Sequence, residues 1–150
     1  MPDLKVIDVY PYHVFEGNIE YLLLHRSTDK LYAGQWRMVG GKVQAGETSW
    51  QAGLRELREE TGAIPQKYWS VPSINHFYDY KSDQILYIPA FAALLDIETP
   101  VLLNSEHDDY KWLTMDEASK LIQWPEQIRL ITIINKIVLQ GEVLSNWIIE

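Results

Sequence analysis

The chain has 150 residues, 47% of them hydrophobic and 23% charged, and 13 Lys plus Arg against 21 Asp plus Glu give it a net charge of −8. That suits one domain over residues 1–150 and excludes the disordered and fibrous classes, and an acidic surface without a Lys/Arg-rich face disfavours nucleic-acid binding. With no cysteine, thiolate catalysis and Cys-ligated metals are excluded, and without a leader-like N-terminus or 18 consecutive apolar residues a cytoplasmic protein with no membrane partner is expected.

Residues 4–15 and 20–25, rich in β-branched, aromatic and aliphatic side chains around the turn-like Glu16-Gly17-Asn18, predict a hairpin. A loop follows at Ser27 to Lys30, then a short apolar run from Gln35 to Val39 and a break at Gly40-Gly41. A helix is predicted from Thr48 or Ser49, both capping hydroxyls, to Gly62, with Trp50, Leu54, Leu57 and Thr61 as its buried stripe. Ser73 to Tyr80 and Gln84 to Leu95 predict a second strand pair, and Asp109 to Leu113 one more strand. Helices are predicted from Met115 to Ile122 and from Pro125 to Leu139, the last with Ile128, Ile131, Ile134 or Asn135, and Val138 on its inner face. Residues 140–150 carry no clear signal, although Trp147, Ile148 and Ile149 are apolar enough to pack on the body or on a second subunit of a homodimer. Strands and helices around one sheet make this an α/β chain.

The chemistry is concentrated in GKVQAGETSWQAGLRELREETGA, residues 41–63. Helical geometry places Glu56, Glu59 and Glu60 on one side, roughly opposite Leu54 and Leu57. Such like charges cost an isolated helix about 0.2 to 0.5 kcal/mol per pair, and Arg55 offsets only part of that. A divalent cation would neutralise the patch. Magnesium, held by carboxylates and substrate phosphates, also lets an acidic protein bind a polyphosphate. The Gly40-Gly41 turn allows a close backbone approach and a carbonyl ligand.

Gly41, five residues, Glu47, seven residues, Arg55-Glu56-Leu57, one residue, Glu59-Glu60, one residue and Gly62 reproduce the Nudix box. The sequence resembles the Nudix (MutT-like) hydrolase family. The resemblance implies an α/β/α sandwich with a mixed sheet and a loop-helix-loop motif, and magnesium-dependent hydrolysis of a nucleoside diphosphate linked to another group, with manganese as a substitute. By position it makes Glu56, Glu59 and Glu60 metal ligands and catalytic groups, gives Gly40 a ligating carbonyl, and lets Arg55 with Glu47 orient the helix. Gly41, Leu57 and Gly62 are the structural positions of the motif. The last box position, usually a larger aliphatic, is Ala63 followed by Ile64, a change expected to alter packing alone. Gly53, unfavourable by about 1 kcal/mol in a helix interior, is expected to allow close packing on the sheet.

Beyond the box, Ser105 to Leu113 (SEHDDYKWL) with Asp116-Glu117-Ala118 is similar to bacterial dATP and dihydroneopterin-triphosphate pyrophosphohydrolases, and equally to diadenosine tetraphosphate hydrolases. There the glutamate matching Glu106 faces the box helix as a metal ligand or base, while the adjacent His107 is expected to be structural. For substrate binding, Trp36, Phe77, Tyr78 and Tyr80 are the candidate base-stacking aromatics, and Arg37 and Lys42, with Arg26 behind them, the candidate phosphate-binding cations. The expected function is pyrophosphate release from a nucleoside or pterin triphosphate. The rivals are cleavage of a dinucleoside polyphosphate and a Nudix binding module that senses a nucleotide without turnover, which the intact box glutamates disfavour.

Overall fold

β1 (Val6–Phe15) and β2 (Asn18–Arg26) form the expected hairpin, closed by Glu16 and Gly17, both with positive φ. The structure is a computed structural model and describes residues 3–141 and 143–150. After the hairpin come β3 (Trp36–Arg37), β4 (Val39–Lys42), α1 (Ser49–Thr61), β5 (Lys67–Asp79), β6 (Gln84–Leu94), β7 (His107–Thr114), α2 (Met115–Leu121) and α3 (Pro125–Leu139). A single 3-10 turn, Ser145–Trp147, follows.

The sheet runs β3-β2-β1-β6-β5, with β4 also paired to β1 and β7 to β2. Among the described strands β1 and β6 pair in parallel and the other pairs are antiparallel, so the sheet is mixed. Alternation along β1 divides the core. Ile7 and Val9 face α1 with Leu22, Leu24 and Phe91, whereas Tyr10 and Tyr12 face α2 and α3 with Trp69, Leu130, Ile131 and Ile134. Helices therefore cover both faces, the α/β/α arrangement that the motif implied. No helix among the described residues is long and apolar enough to cross a membrane.

β5 is longer than the sequence pattern indicates. It starts at Lys67 and passes Pro72 through an irregularity between Ser70 and Ile74, since a proline cannot donate to a ladder. β7 likewise begins at His107, because pairing with β2 extends beyond the apolar core of the segment. The residues around Trp147 to Ile149 lie on the body of the same chain. The Trp147 and Trp69 rings stack at 6.3 Å, and the Ile149 N–H donates to the Tyr68 carbonyl at 2.8 Å.

Helix α1 is rotated relative to the expected stripe. Its buried residues are Ala52, Gly53, Leu57, Glu60 and Thr61, while Trp50 is 36% exposed and Leu54 half-buried. Gly53 sets this orientation. A Cβ there would collide with the Tyr68 hydroxyl and lie 3.2 Å from Val9 Cγ2 and 3.3 Å from a Phe91 ring carbon. Tyr68 cannot swing aside easily, because its buried ring stacks on Phe91 and its hydroxyl donates to the Trp50 carbonyl at 3.1 Å. Gly53→Ala therefore loses despite the better helix propensity of alanine: overpacking of about 1 to 3 kcal/mol outweighs a gain of about 1 kcal/mol. Thermal unfolding should show a lower Tm, and a Tm equal to or above the native value would contradict the close-packing account. Ala63 is buried where the larger aliphatic was expected, and Ile64 does not replace it, being 77% exposed.

Candidate active site

Thr48 caps α1. Its hydroxyl accepts from the Gln51 N–H while the Gln51 side chain accepts from the Thr48 N–H, and Gly62 ends the helix in the left-handed conformation. Within this frame Arg55 gathers the motif. Its Nε and Nη2 donate to both oxygens of Glu47 at 2.8 Å, Nη2 also to the Lys42 carbonyl at 2.8 Å, and Nη1 to Glu56 at 2.7 Å and Glu59 at 3.1 Å. One guanidinium thus ties the loop before the helix to two of its carboxylates. Gly41 is part of the same fit, since a Cβ there would overlap the Glu56 carboxyl group.

The three box glutamates do not share one solvated face. Glu59 is half exposed, Glu56 is largely covered, and Glu60 is buried at 1% exposure on the same side as Leu57. The reason lies opposite the helix, where the segment before β7 closes over Glu60. There the Leu102 N–H donates to the Thr61 carbonyl at 2.8 Å, and the Asn104 amide donates to the Glu59 carbonyl at 3.1 Å and accepts from the Glu106 N–H at 3.0 Å. Glu106 is steadied further by Arg26 at 3.4 Å. As a result, one ligand atom each from Glu60, Glu106 and His107 lie within 4.8 Å of one another.

This cluster is electrostatically unfinished. Glu60 Oε2 and His107 Nδ1 are buried without a hydrogen-bond partner, and that imidazole nitrogen stands 3.5 Å from Glu60. Burial, then the charges of Glu56 and Glu106, push the Glu60 carboxyl well above the usual carboxylate range. Glu56 is raised too, chiefly by burial, against the pull of Arg55. Burial, reinforced by Arg26 and Arg37, lowers His107 to about 4, so it is a neutral imidazole at neutral pH. Buried carboxylates that repel one another around an orphaned oxygen fit a hard divalent cation, and the His107 nitrogen is a donor that manganese also accepts. His107, expected to be structural, thus belongs to the cluster.

The predicted substrate residues divide. Arg37 is half-buried, with its guanidinium carbon 4.3 Å from the Tyr32 ring centroid and 5.1 Å from that of Trp124. Trp36 is half-buried between His25, at 4.9 Å between ring centroids, and the Lys111 ammonium at 5.0 Å from its ring. Lys42 contributes its carbonyl to Arg55, and its side chain is exposed. Tyr78 and Tyr80 are not brought to the cluster. Tyr78 follows Phe77, which faces Trp124, and so points to the opposite side of the sheet, donating to Asp83 at 2.7 Å, while Tyr80 is 76% exposed in the β5–β6 turn.

Residues 7–132 match the family profile of the NUDIX domain. The chain belongs to the Nudix family. Among its relatives, the mouse bis(5'-nucleosyl)-tetraphosphatase [asymmetrical] is 32% identical over 114 residues, 73% of this chain and 74% of that protein. The nucleoside triphosphatase NudI of Enterobacter sp. (strain 638) is 29% identical over 116 residues, 72% of this chain and 82% of that protein. A crystal structure of a C. elegans Ap4A hydrolase binary complex superposes with a TM-score of 0.76 at 25% identity, covering 93% of this chain and 99% of the other. The protein is a Nudix hydrolase, and its fold and reaction class follow from that membership.

Around this Nudix site stand residues that sequence reasoning missed. Asp8, one acid in the apolar run of β1, is buried at 6% exposure, and its Oδ2 accepts from Asn75 at 2.8 Å, Tyr10 at 3.2 Å and Gln127 at 3.3 Å. Burial raises its carboxyl above the usual range while Asn75, Gln127 and Arg37 draw it back. The available signal was a lone charge inside an apolar strand. Trp124 and Tyr32, which hold Arg37, had no signal of comparable strength.

Proposed function

We propose that this Nudix hydrolase is a cytoplasmic, magnesium-dependent pyrophosphohydrolase that cleaves a nucleoside triphosphate, or dihydroneopterin triphosphate, to the monophosphate and pyrophosphate. The observation that carries the reading is the buried Glu60 carboxylate, one oxygen of which has no partner, gathered with Glu106 and His107 so that a ligand atom of each lies within 4.8 Å of the others. Glu56, Glu60 and Glu106 would hold the metal, with the Gly40 carbonyl beside them and the exposed Glu59 at the rim. When bound there, magnesium neutralises phosphate oxygens and draws charge from phosphorus. Arg55 holds the Glu56 carboxylate in place, and Arg37 and Lys42 present cations to the polyphosphate. A proton from the attacking water passes to a carboxylate oxygen of Glu60 or Glu106 as the new phosphorus–oxygen bond forms and the bond to the leaving pyrophosphate breaks.

A second reading, asymmetric cleavage of a dinucleoside tetraphosphate, is supported by the likeness to the mouse tetraphosphatase over 73% of this chain. The test is phosphate release, with and without added inorganic pyrophosphatase, from a panel of ribo- and deoxyribonucleoside triphosphates, dihydroneopterin triphosphate and diadenosine tetraphosphate, each with magnesium or chelator. Signal from a triphosphate that needs both magnesium and the added pyrophosphatase is expected. Turnover of diadenosine tetraphosphate alone would establish the second reading, and no turnover of any substrate would overturn both.

A further inference from the structure

We infer that His107 is a direct ligand of the cation gathered by Glu60 and Glu106, and that its nitrogen turns the site toward manganese and away from magnesium. The inference rests on the metal-dependent reading above and deepens it, since the glutamates of the motif offer oxygen alone.

Two buried atoms meet here with nothing to bind. Glu60 and His107 are 1% and 4% exposed, and Glu60 Oε2 and His107 Nδ1 are both buried without a hydrogen-bond partner among the described residues. Nδ1 stands 3.5 Å from Glu60 Oε1, too far for a sound hydrogen bond between an imidazole and a carboxylate. The same separation suits two donors on one cation. With metal–ligand bonds of about 2.0 to 2.2 Å, neighbouring donors lie roughly 3 Å apart and opposite ones roughly 4 Å apart. One ligand atom each from Glu60, Glu106 and His107 lie within 4.8 Å of one another, and the Glu106 side chain, 43% exposed, has room to complete the set.

The backbone explains how two consecutive residues reach one point. Inside a regular strand, Glu106 and His107 would face opposite sides of the sheet. Glu106 instead lies in the turn before β7, where its N–H donates to the Asn104 side chain at 3.0 Å and its carbonyl accepts from the Ser27 N–H at 3.0 Å. His107 opens β7 opposite Arg26, and the next pair is Asp109 with His25, so β7 advances two residues while β2 advances one. Such a bulge re-aims side chains, and here it leaves the imidazole beside Glu60.

The donor type sets the preference. Magnesium demands oxygen ligands at about 2.0 to 2.1 Å and gives up water reluctantly, whereas an imidazole nitrogen is a ligand of first-row transition ions. Among these, manganese shares the preference of magnesium for carboxylates, so it suits a set of oxygens with one nitrogen. A histidine that only filled space would have its buried nitrogen satisfied by a neighbouring group.

The test uses the full chain without nucleotide. Manganese binding is followed through loss of the free-ion EPR signal, magnesium through its competition with manganese, and the bound manganese is probed by pulsed EPR for coupling to nitrogen. In the native protein, manganese is expected to bind at least about tenfold more tightly than magnesium and to couple to an imidazole nitrogen. In His107→Gln, which retains an oxygen donor, that coupling should vanish and the manganese to magnesium affinity ratio should fall about tenfold.

Manganese bound without nitrogen coupling in the native protein would overturn the proposal. So would coupling that persists in His107→Gln, or an equal loss for both ions, which is the mark of a structural role. If His107→Gln fails to fold, the native spectrum and the native affinity ratio decide. Because turnover is not read, manganese that binds without nitrogen at a site weakened by Glu60→Gln would refute the His107 ligand alone and leave the glutamate-held metal standing. If neither ion binds, or if Glu60→Gln leaves binding unchanged, the metal reading falls and the His107 ligand with it.

Discussion

Glu60→Gln should abolish magnesium-dependent turnover, by about a thousandfold or more, while Tm stays level or rises. The two halves of this result have one origin. Glu60 is buried at 1% exposure with Oε2 unpartnered, and burial together with Glu56 and Glu106 works against its charge. Replacing the carboxylate by an amide of the same shape removes a buried charge and supplies a donor for those neighbours. The same change removes a ligand from the proposed metal set, and loss of several kcal/mol of charge stabilisation corresponds to about three or more powers of ten in rate. Calorimetric titration with magnesium reads the ligand loss independently of turnover. A Tm several degrees lower with activity retained would show that Glu60 is part of the scaffold only.

Arg55→Lys should lower both activity and stability, although it preserves the charge. A lysine ammonium cannot reproduce the two parallel bonds to Glu47 while reaching the Lys42 carbonyl, Glu56 and Glu59. Released from Arg55, the Glu56 carboxylate loses its orientation beside Glu60, and a loss of about a hundredfold in kcat is expected from misplacement alone. A Tm decrease of about 5 °C should accompany it, modest because part of the network meets solvent. The pH dependence has a definite sign. Arg55 holds Glu47 down to about 2, below its ordinary value, so the pair stabilises the fold above the usual carboxylate range and this contribution is lost as pH falls toward 2. In Arg55→Lys the acid limb of the Tm profile should begin at higher pH. An unshifted limb with native kcat would remove Arg55 from the role assigned to it.

How far the sequence foretold the molecule depended on whether the signal was local. The capping hydroxyl at Thr48 and the glycine at Gly62 bound α1 where the sequence placed its ends, because caps are read by residues a few positions away. Pro125 opened α3 for the same reason. The inner face of α1 was another matter. Periodicity gave Trp50 and Leu54 to the core, but the sheet beneath is reached through Gly53 and Tyr68, a contact between residues 15 apart that no helical pattern encodes. Glu60 illustrates the point most clearly for the site. Helical geometry set it roughly opposite Leu57, whereas it is buried on the same side, and Asn104 and Leu102, whose bonds close the segment over it, lie more than 40 positions away in a segment without secondary structure. Spacing identified the metal-binding residue types, and the fold alone decided which of them is buried. Asp8 on β1 is held by Asn75 on β5 and Gln127 on α3, a convergence that no local pattern encodes.

The last residues of the chain have a consequence for solubility. β5 is an edge strand, and long edges with free N–H and C=O groups invite pairing with another molecule. The bridge between Trp69 and Ile148, with the Ile149 bond to Tyr68, occupies the first part of that edge, and the irregularity at Ser70 to Ile74 breaks its run. The chain thereby blocks its own template for intermolecular β-pairing, at the same tyrosine whose hydroxyl anchors the start of the glutamate-bearing helix.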